Sequence, residues 1–395
     1  MKMKTLIELY DERPLENVLA TEVFKPQNTI FLCSAEVAKN QSKKQKMYNY
    51  INHRHLDTRV TFLETKLNVA KDVEKRICEI VNKYPDCAID VTGGSDAALF
   101  AAGAVNAKYN IPAFTYSRKQ NTFYNISGAL FADGKKNEVS YKVCDFFYMA
   151  GGSMRKGRVD NRLLVNYLDS FENFFDLYLR HKANWQKLTT YMQRVAVTPK
   201  NQPINLKVNA SYWVKGDRGN YISPPEKALV ELEKIGYIHN LKIIKDKNIS
   251  FEFKDATTRA WLRDVGSVLE LYVYKVCLDC DIFTDVVTSA VVDWDGGVNK
   301  QDGVTNEIDV MASMGVVPLF ISCKTCEIDT DALNELAILR DRFGGKMAKA
   351  AIVSARHCKN VTRHRAAELG IFVIELDDLV SGRISKMLCS LMKAK

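Results

Sequence analysis

Nowhere does this 395-residue chain approach the ~18 uninterrupted apolar residues that a membrane-spanning helix needs. The opening MKMKTLIELYDERP turns acidic before a signal-peptide core forms, so a cytosolic protein with no membrane association is expected. Internal repeats and low-complexity segments are absent. So are the GxGxxG dinucleotide fingerprint and the Walker phosphate loop, which weakens any reading as a Rossmann enzyme acting on a small nucleotide. The six histidines form no cluster at metal-ligand spacing. With 47% apolar and 26% charged residues, disordered, collagen-like and coiled-coil classes are excluded.

What is present begins with charge. The balance of +9 and a pI near 8.9 are compatible with a polyanionic partner without requiring one. Ten cysteines in a chain with no secretion signal read as reduced, buried thiols rather than a disulfide framework. Two CxxC pairs, Cys277/Cys280 and Cys323/Cys326, match the count of a four-thiolate zinc site. Their context favours core thiols instead, because Cys277 falls in a helical run and Cys323 in a strand.

From Met1 to about Arg118, short apolar runs such as TLIEL, TIFLC, RVTFLE, CAIDV and PAFTY alternate with amphipathic stretches. That alternation predicts βαβ units and a Rossmann-like parallel sheet. The stretch NTFYNISGALF reads as a hairpin turning at Ser127-Gly128, and KNEVSYKVCDFFYMAGG as a last strand closed by a glycine break. The sequence therefore divides into a Rossmann-like domain over 1–150, a helical and winged-helix-like middle over 151–255, and an α/β domain over 256–395. In the last of these the order is helix, three strands, helix, strand, helix, strand.

In that final domain Asp309 lies on the second strand and Lys324 ends the third. A hairpin at Met314-Gly315 would bring their ends together. Ser322 precedes Lys324 by two, so both project to one face, and Glu270 on the preceding helix can reach the same sheet edge. Such residues suit metal-assisted phosphodiester hydrolysis, in which carboxylates hold Mg²⁺ or Mn²⁺ against the phosphate and a lysine positions the attacking water. The plain alternative for Lys324 is a solvated strand-end lysine. Glu307 is assigned to the opposite strand face and set aside. Asp293 and Asp295, in VVDWDGG, rank below Glu270 because aspartates before Gly-Gly commonly serve the turn.

The order α-β-β-β-α-β carrying an acid and a lysine resembles the PD-(D/E)xK nucleases. More closely, LELY, NEIDV, PLFISCKT and RHRAAELGIFVIE resemble the C-terminal nuclease of CARF-type CRISPR ancillary effectors. That resemblance implies Asp309 as metal-binding acid, Lys324 as catalytic lysine and Glu270 as a supporting glutamate. The sequence departs from the pattern at Ser322, where a second acid is usual. The metal would then lean on Asp309, Glu270 and the Cys323 backbone carbonyl.

In the first domain CAIDVTGGSDAAL is a strand that passes through Thr92, Gly93, Gly94 and Ser95 directly into a helix beginning at Asp96. Glycines permit close backbone approach, and a helix start offers N–H groups to a phosphate. A plain strand-to-helix turn is the alternative. Asp11, Glu12 and Arg13 after the first strand, and Ser34 after the second, emerge at strand carboxyl ends, where ligands of open α/β sheets bind. Arg118 is the candidate cation. With Pro14 and Asn17 opening a helix, this arrangement resembles the CARF domain, implying cyclic oligoadenylate, tetra-adenylate above others, bound across a homodimer.

The resulting expectation is a cyclic-oligoadenylate-activated, divalent-metal-dependent endonuclease cleaving DNA or RNA in type III CRISPR defence. The competing expectation is a ligand-responsive nucleic-acid-binding regulator that uses the segment from Pro224 to Phe253, including Lys242, Lys245 and Lys247, with the nuclease inactivated at Ser322.

Overall fold

The computed structural model describes residues 3–155, 161–198, 202–216, 219–294 and 305–394. The first module is a six-stranded sheet built from β1 (Thr5–Leu9), β2 (Asn28–Cys33), β3 (Arg59–Glu64), β4 (Cys87–Asp90), β5 (Ala113–Ser117) and β6 (Thr122–Ser127), in the order β3-β2-β1-β4-β5-β6. The first five strands run parallel. Because the chain leaves β1 toward β2 on one side and returns to β4 on the other, the carboxyl ends of β1 and β4 part, and their loops frame a crevice.

The β5–β6 hairpin turns over Arg118–Asn121, where Asn121 takes φ +53°. It does not turn at Ser127-Gly128, since β6 only ends there. Nor does the expected last strand form. Val143–Met149 is a helix, because Val143, Phe146, Phe147 and Ala150, all buried, recur at helical spacing rather than in alternation.

A short β7 (Ser153–Arg155) leaves the first module entirely and pairs with the last sheet. Next come β8 (Lys207–Ser211), β9 (Val214–Lys215), β10 (Tyr221–Ile222), β11 (Ile238–Ile244) and β12 (Asn248–Phe253). The helix Glu226–Lys234 precedes the β11–β12 hairpin, and β8 pairs with β12.

The last sheet is formed by β13 (Asp285–Asp293), β14 (Thr305–Met314), β15 (Val317–Lys324), β16 (Lys349–Ser354) and β17 (Ile371–Ile374), in the order β17-β16-β15-β14-β13-β7. The helix Ser267–Asp279 precedes β13, and the helix Thr330–Gly344 links β15 to β16 in a parallel crossover. The predicted element order is therefore present.

Two apolar cores hold this sheet. One packs Val310, Leu319 and Ile321 against Leu269, Val273 and the helices of the middle segment. The other runs continuously from Leu6, Phe114 and Phe123 of the first sheet to Met311, Phe320 and Phe343 of the last. Each such buried side chain contributes about 2 kcal/mol. An edge-on contact of Phe147 with Phe343, centroids 5.2 Å apart, lies within this seam. None of the described helices is long and apolar enough to cross a membrane.

Candidate active site and sensor crevice

Ile308 and Val310 of β14 enter the two different cores on either side of the sheet, so the pleat does not alternate strictly at Asp309. The assignment of Glu307 away from Asp309 is corrected, because the two line the same cavities. The β14–β15 ladder closes at Val310 and Ile321, and just past it stand Glu307 and Asp309 on one strand and Ser322 and Lys324 on the other. Those four side chains line one small cavity.

On the other side of Asp309, a larger cavity of about 610 Å³ is lined by Glu270, Asp264, Glu307 and Asp309, with Leu163 and Trp261 on its apolar wall. The nuclease candidates Glu270, Asp309, Ser322 and Lys324 thus converge. Asp293 does not join them: it is buried and ion-paired with Arg155. Asp295 lies outside the described residues.

Hydrogen bonds fix the centre. Asp309 Oδ2 accepts from the Cys323 backbone N–H at 2.6 Å and from Ser322 Oγ at 3.2 Å. Since the N–H and carbonyl of one strand residue point to the same side, the Cys323 carbonyl also faces β14. From β13, Thr288 Oγ1 donates to the Asp309 carbonyl at 2.8 Å. The next residue, Ser289, is buried at φ +51°, a left-handed conformation that a serine adopts at a cost of about 1 kcal/mol. Strain of this kind concentrates at functional sites, and no pattern in the sequence announces it.

Gly266 is the other constraint: a methyl group there would lie 2.7 Å from Glu270 Oε1 and 3.6 Å from Asp264 Oδ2. Asp264 accepts at Oδ2 from the backbone and hydroxyl of Ser267 at 2.8 and 2.7 Å, which caps the helix that carries Glu270.

Burial pushes the Glu270 carboxyl up to about 8, with Asp309, Asp264 and Glu307 adding to the rise and Lys324 opposing it. Burial also raises Asp309, against the Cys323 N–H and the Lys324 charge. Hard carboxylate oxygens suit Mg²⁺ or Mn²⁺, whose charge would relieve the repulsion that Asp309, Asp264 and Glu307 exert on Glu270. The donor set therefore fits the expected metal.

The cysteine pairs do not converge into one exposed turn. Cys277 and Cys323 are buried, Cys280 contacts Ser385 at 3.2 Å, and Cys326 is exposed.

At the opposite end, the carboxyl ends of β1 to β4 surround a cavity of about 580 Å³ that brings together Asp11, Glu12, Ser34, Gly94 and Ser95. Asp11 closes it from below, accepting at Oδ1 from the Arg13 backbone (2.9 Å) and Nε (2.7 Å), and at Oδ2 from the Gly94 N–H (3.0 Å). Burial alone would raise this carboxyl, but those hydrogen bonds hold it at about 2. Gly93 lies close against this acid, as a methyl there would meet Asp11 Cβ at 3.0 Å and Glu16 Cβ at 3.2 Å. Ser34 and Ser95 cap the helices that follow them, and Asp96 is exposed in the first turn.

Arg118 is not in this crevice. It pairs with buried Glu16 beside Thr92, Asp90 and Tyr116. The cation lining the crevice is Lys66, in the loop Thr65–Asn68 after β3. The rule that points to the loops after β1 and β2 applies equally to this one, yet the loop has no glycine or acid cluster to draw the eye.

Together these features define a class: a Rossmann-like module with a crevice at its strand ends, joined to a restriction-endonuclease-like α/β module. Comparison with known proteins makes the assignment more particular. Residues 258–394 match the family described as Card1-like, endonuclease domain, so the final module is similar to endonuclease domains of that kind. No sequence among curated proteins matches the chain. Among solved structures the chain is similar over 99% of its length to protein VC1899 from Vibrio cholerae (98% of that chain, TM-score 0.73, 19% identity). It is likewise similar over 99% to Can2 from Sulfobacillus thermosulfidooxidans, solved in complex with cyclic tetra-adenylate (99% of that chain, TM-score 0.73, 15% identity). At these identities the two likenesses establish a shared fold along the whole chain.

Proposed function

We propose that this protein is a cyclic-oligoadenylate-activated, divalent-metal-dependent endonuclease of type III CRISPR defence. The observation that carries the reading is the convergence of Glu270, Asp309 and Lys324 in a module whose sequence matches an endonuclease family. The activator comes from the likeness to Can2 with its cyclic tetra-adenylate and from a crevice at the carboxyl ends of parallel strands.

Residues 1–150 would sense, 151–255 would connect and 256–395 would cut. Asp309 and Glu270, with the Cys323 carbonyl, would hold Mg²⁺ or Mn²⁺, which when bound polarises the phosphate as a Lewis acid. Lys324 orients the attacking water and offsets charge on the phosphate. Ser322 holds Asp309 in place through its hydroxyl. Homodimerisation is supported by the helix Asp96–Tyr109, which leaves Phe100 74% exposed on the same face as exposed Gly103, Ala104 and Ala107. An apolar helix face beside the crevice suits a two-fold partner sharing one cyclic ligand.

The regulator reading has less support. The helix Glu226–Lys234, which a winged helix would lay against DNA, carries Glu226, Glu231 and Glu233, and Glu231 is held by Arg180 and His181.

The test is cleavage of supercoiled plasmid and labelled single strands with Mn²⁺ or Mg²⁺, with and without cyclic tetra- and hexa-adenylate, beside Lys324→Ala. Activator-dependent cutting lost in the variant is expected. Activator binding without cutting under any condition would turn the assignment to the regulator.

A further inference from the structure

One cluster of metal-ligating side chains lies outside both sites described above. His53 ends the helix Gln41–His53, and Cys144 and Asp145 stand in the first turn of the helix Val143–Met149. The imidazole nitrogen, thiol sulfur and carboxylate oxygen of these three residues come within 4.8 Å of one another. His53 Nε2 is 2.7 Å from Asp145 Oδ1, and 92 residues of chain separate the two, so no spacing in the sequence announces the group.

Two of the three ligands are held from behind. Asp145 is buried, and its Oδ2 accepts from Arg54 Nη1 at 3.0 Å and from the Lys142 N–H at 2.7 Å, which turns Oδ1 toward His53. The His53 ring stacks on Tyr148, with centroids 4.2 Å apart and planes 24° from parallel. Outer partners of this kind fix the ring and the carboxylate of a metal site. A simple ion pair accounts for the contact between His53 and Asp145 but not for a thiol within reach of the same oxygen.

Charge and donor type then select the ion. Glu22, which accepts from Arg54 Nη2 at 2.8 Å, Asp145 and a Cys144 thiolate together face Arg54, and a doubly charged cation brings that set to neutrality. Nitrogen and sulfur donors favour Zn²⁺ over Mg²⁺ or Mn²⁺.

We propose that His53 Nε2, Cys144 Sγ and Asp145 Oδ1 bind a zinc ion, with water as the fourth ligand, tying the end of one helix to the start of the other. Tetrahedral zinc places such ligand atoms about 3.5 Å apart, so the 2.7 Å contact opens by roughly 0.8 Å and the sulfur closes in. Burial, with the charges of Asp145 and Asp285, keeps the Cys144 thiol protonated in the free chain, and ligation releases that proton to water. The site is separate from the one around Asp309 and does not depend on the nuclease reading.

The experiment is a Co²⁺ titration of the full chain, stripped with chelator and free of nucleic acid. Co²⁺ takes the same tetrahedral ligands and reports a bound thiolate by a near-ultraviolet charge-transfer band, which carboxylate sites such as that around Asp309 do not give. The wild type is expected to show the band and to lose it when Zn²⁺ is added. Cys144→Ala is expected to abolish it, and His53→Gln to require about tenfold more Co²⁺ or greater, with thermal unfolding in chelator as the folding control. Should Cys144→Ala not fold, Cys144→Ser keeps the size of the side chain and is expected to abolish the band equally. A band absent from the wild type, surviving in the folded Cys144 variant, or reached at unchanged Co²⁺ in His53→Gln overturns the site.

Discussion

Replacing Asp90 by asparagine is expected to stabilise the first module, and by an amount that grows with pH. Asp90 ends β4 across from Glu8 of β1, both are buried, and Glu8 Oε1 has no hydrogen-bond partner. Burial pushes the Asp90 carboxyl from its ordinary 3.8 up to about 7, even though the Thr92 N–H and hydroxyl both donate to its Oδ1. An acid so raised holds its proton in the folded chain while the unfolded chain has released it. Stability is therefore greatest below about pH 4, falls by about 1.4 kcal/mol per pH unit from there to about pH 7, and is level above, a total of about 4 kcal/mol. Asparagine keeps an oxygen for the two Thr92 donors and carries no charge, so it should match the wild type near pH 4 and exceed it by up to about 4 kcal/mol near pH 8. The four tryptophans, at positions 185, 213, 261 and 294, all lie outside the first sheet, so fluorescence is blind to this. Amide hydrogen exchange of Leu6, Ile7 and Ile89, variant against wild type at each pH, reads it directly. An advantage of the same size at both ends of the range would refute the neutral carboxyl.

Two further outcomes concern the cavity beside Glu270 and the exposed helix of the first module. Gly266 has φ −82° and ψ −35°, a conformation alanine accepts, so Gly266→Ala should fold normally while its methyl displaces the Glu270 carboxylate. A displacement of about 1 Å is expected to slow cleavage about 100-fold, measured by single-turnover rates with the melting temperature nearly unchanged. Phe100→Glu, at a side chain already 74% exposed, should leave the monomer folded and convert a dimer to monomers in sedimentation. A dimer that persists would mean another face carries the two-fold.

How far the sequence alone reaches can be judged from these residues. The alternation of apolar runs suffices for the parallel sheet, and spacing by two suffices to put Ser322 and Lys324 on one face with Asp309 opposite. Glu307 lines the same cavities as Asp309, which spacing could not show because the strand's alternation breaks at Asp309, where Ile308 and Val310 enter opposite cores. Asp264 hides for another reason: it caps a helix, and its approach to Glu270 depends on Gly266 lacking a side chain, a packing fact. Arg118 is misplaced because its partner Glu16 comes from a distant turn, and a cation's choice between a crevice and a buried acid is settled only by tertiary contacts. The helix at Val143–Met149 was legible in its spacing, yet its aromatic content favours strand on propensity, and burial of Phe146 and Phe147 outweighs that preference.

A continuous run of hydrogen bonds joins the two modules. Ser34 at the crevice caps Ala35–Lys39, which leads into the helix Gln41–His53. From the end of that helix Arg54 donates to Glu22 at 2.8 Å and to Asp145 at 3.0 Å, while His53 contacts Asp145 at 2.7 Å and Tyr50 donates to Glu22. Glu22 and Asp145 are buried, so removing Arg54 would leave two buried carboxylates short of a partner. Beyond it, Tyr141 donates its N–H to the Gly315 carbonyl at 2.9 Å and accepts from Ser313 Oγ at 2.7 Å, and the Val143 N–H donates to Asp285 at 2.8 Å. Those contacts grip the β14–β15 turn and the start of β13, at the ends opposite Asp309 and Lys324. A ligand favouring one placement of the helix Gln41–His53 by about 1.4 kcal/mol shifts its population tenfold.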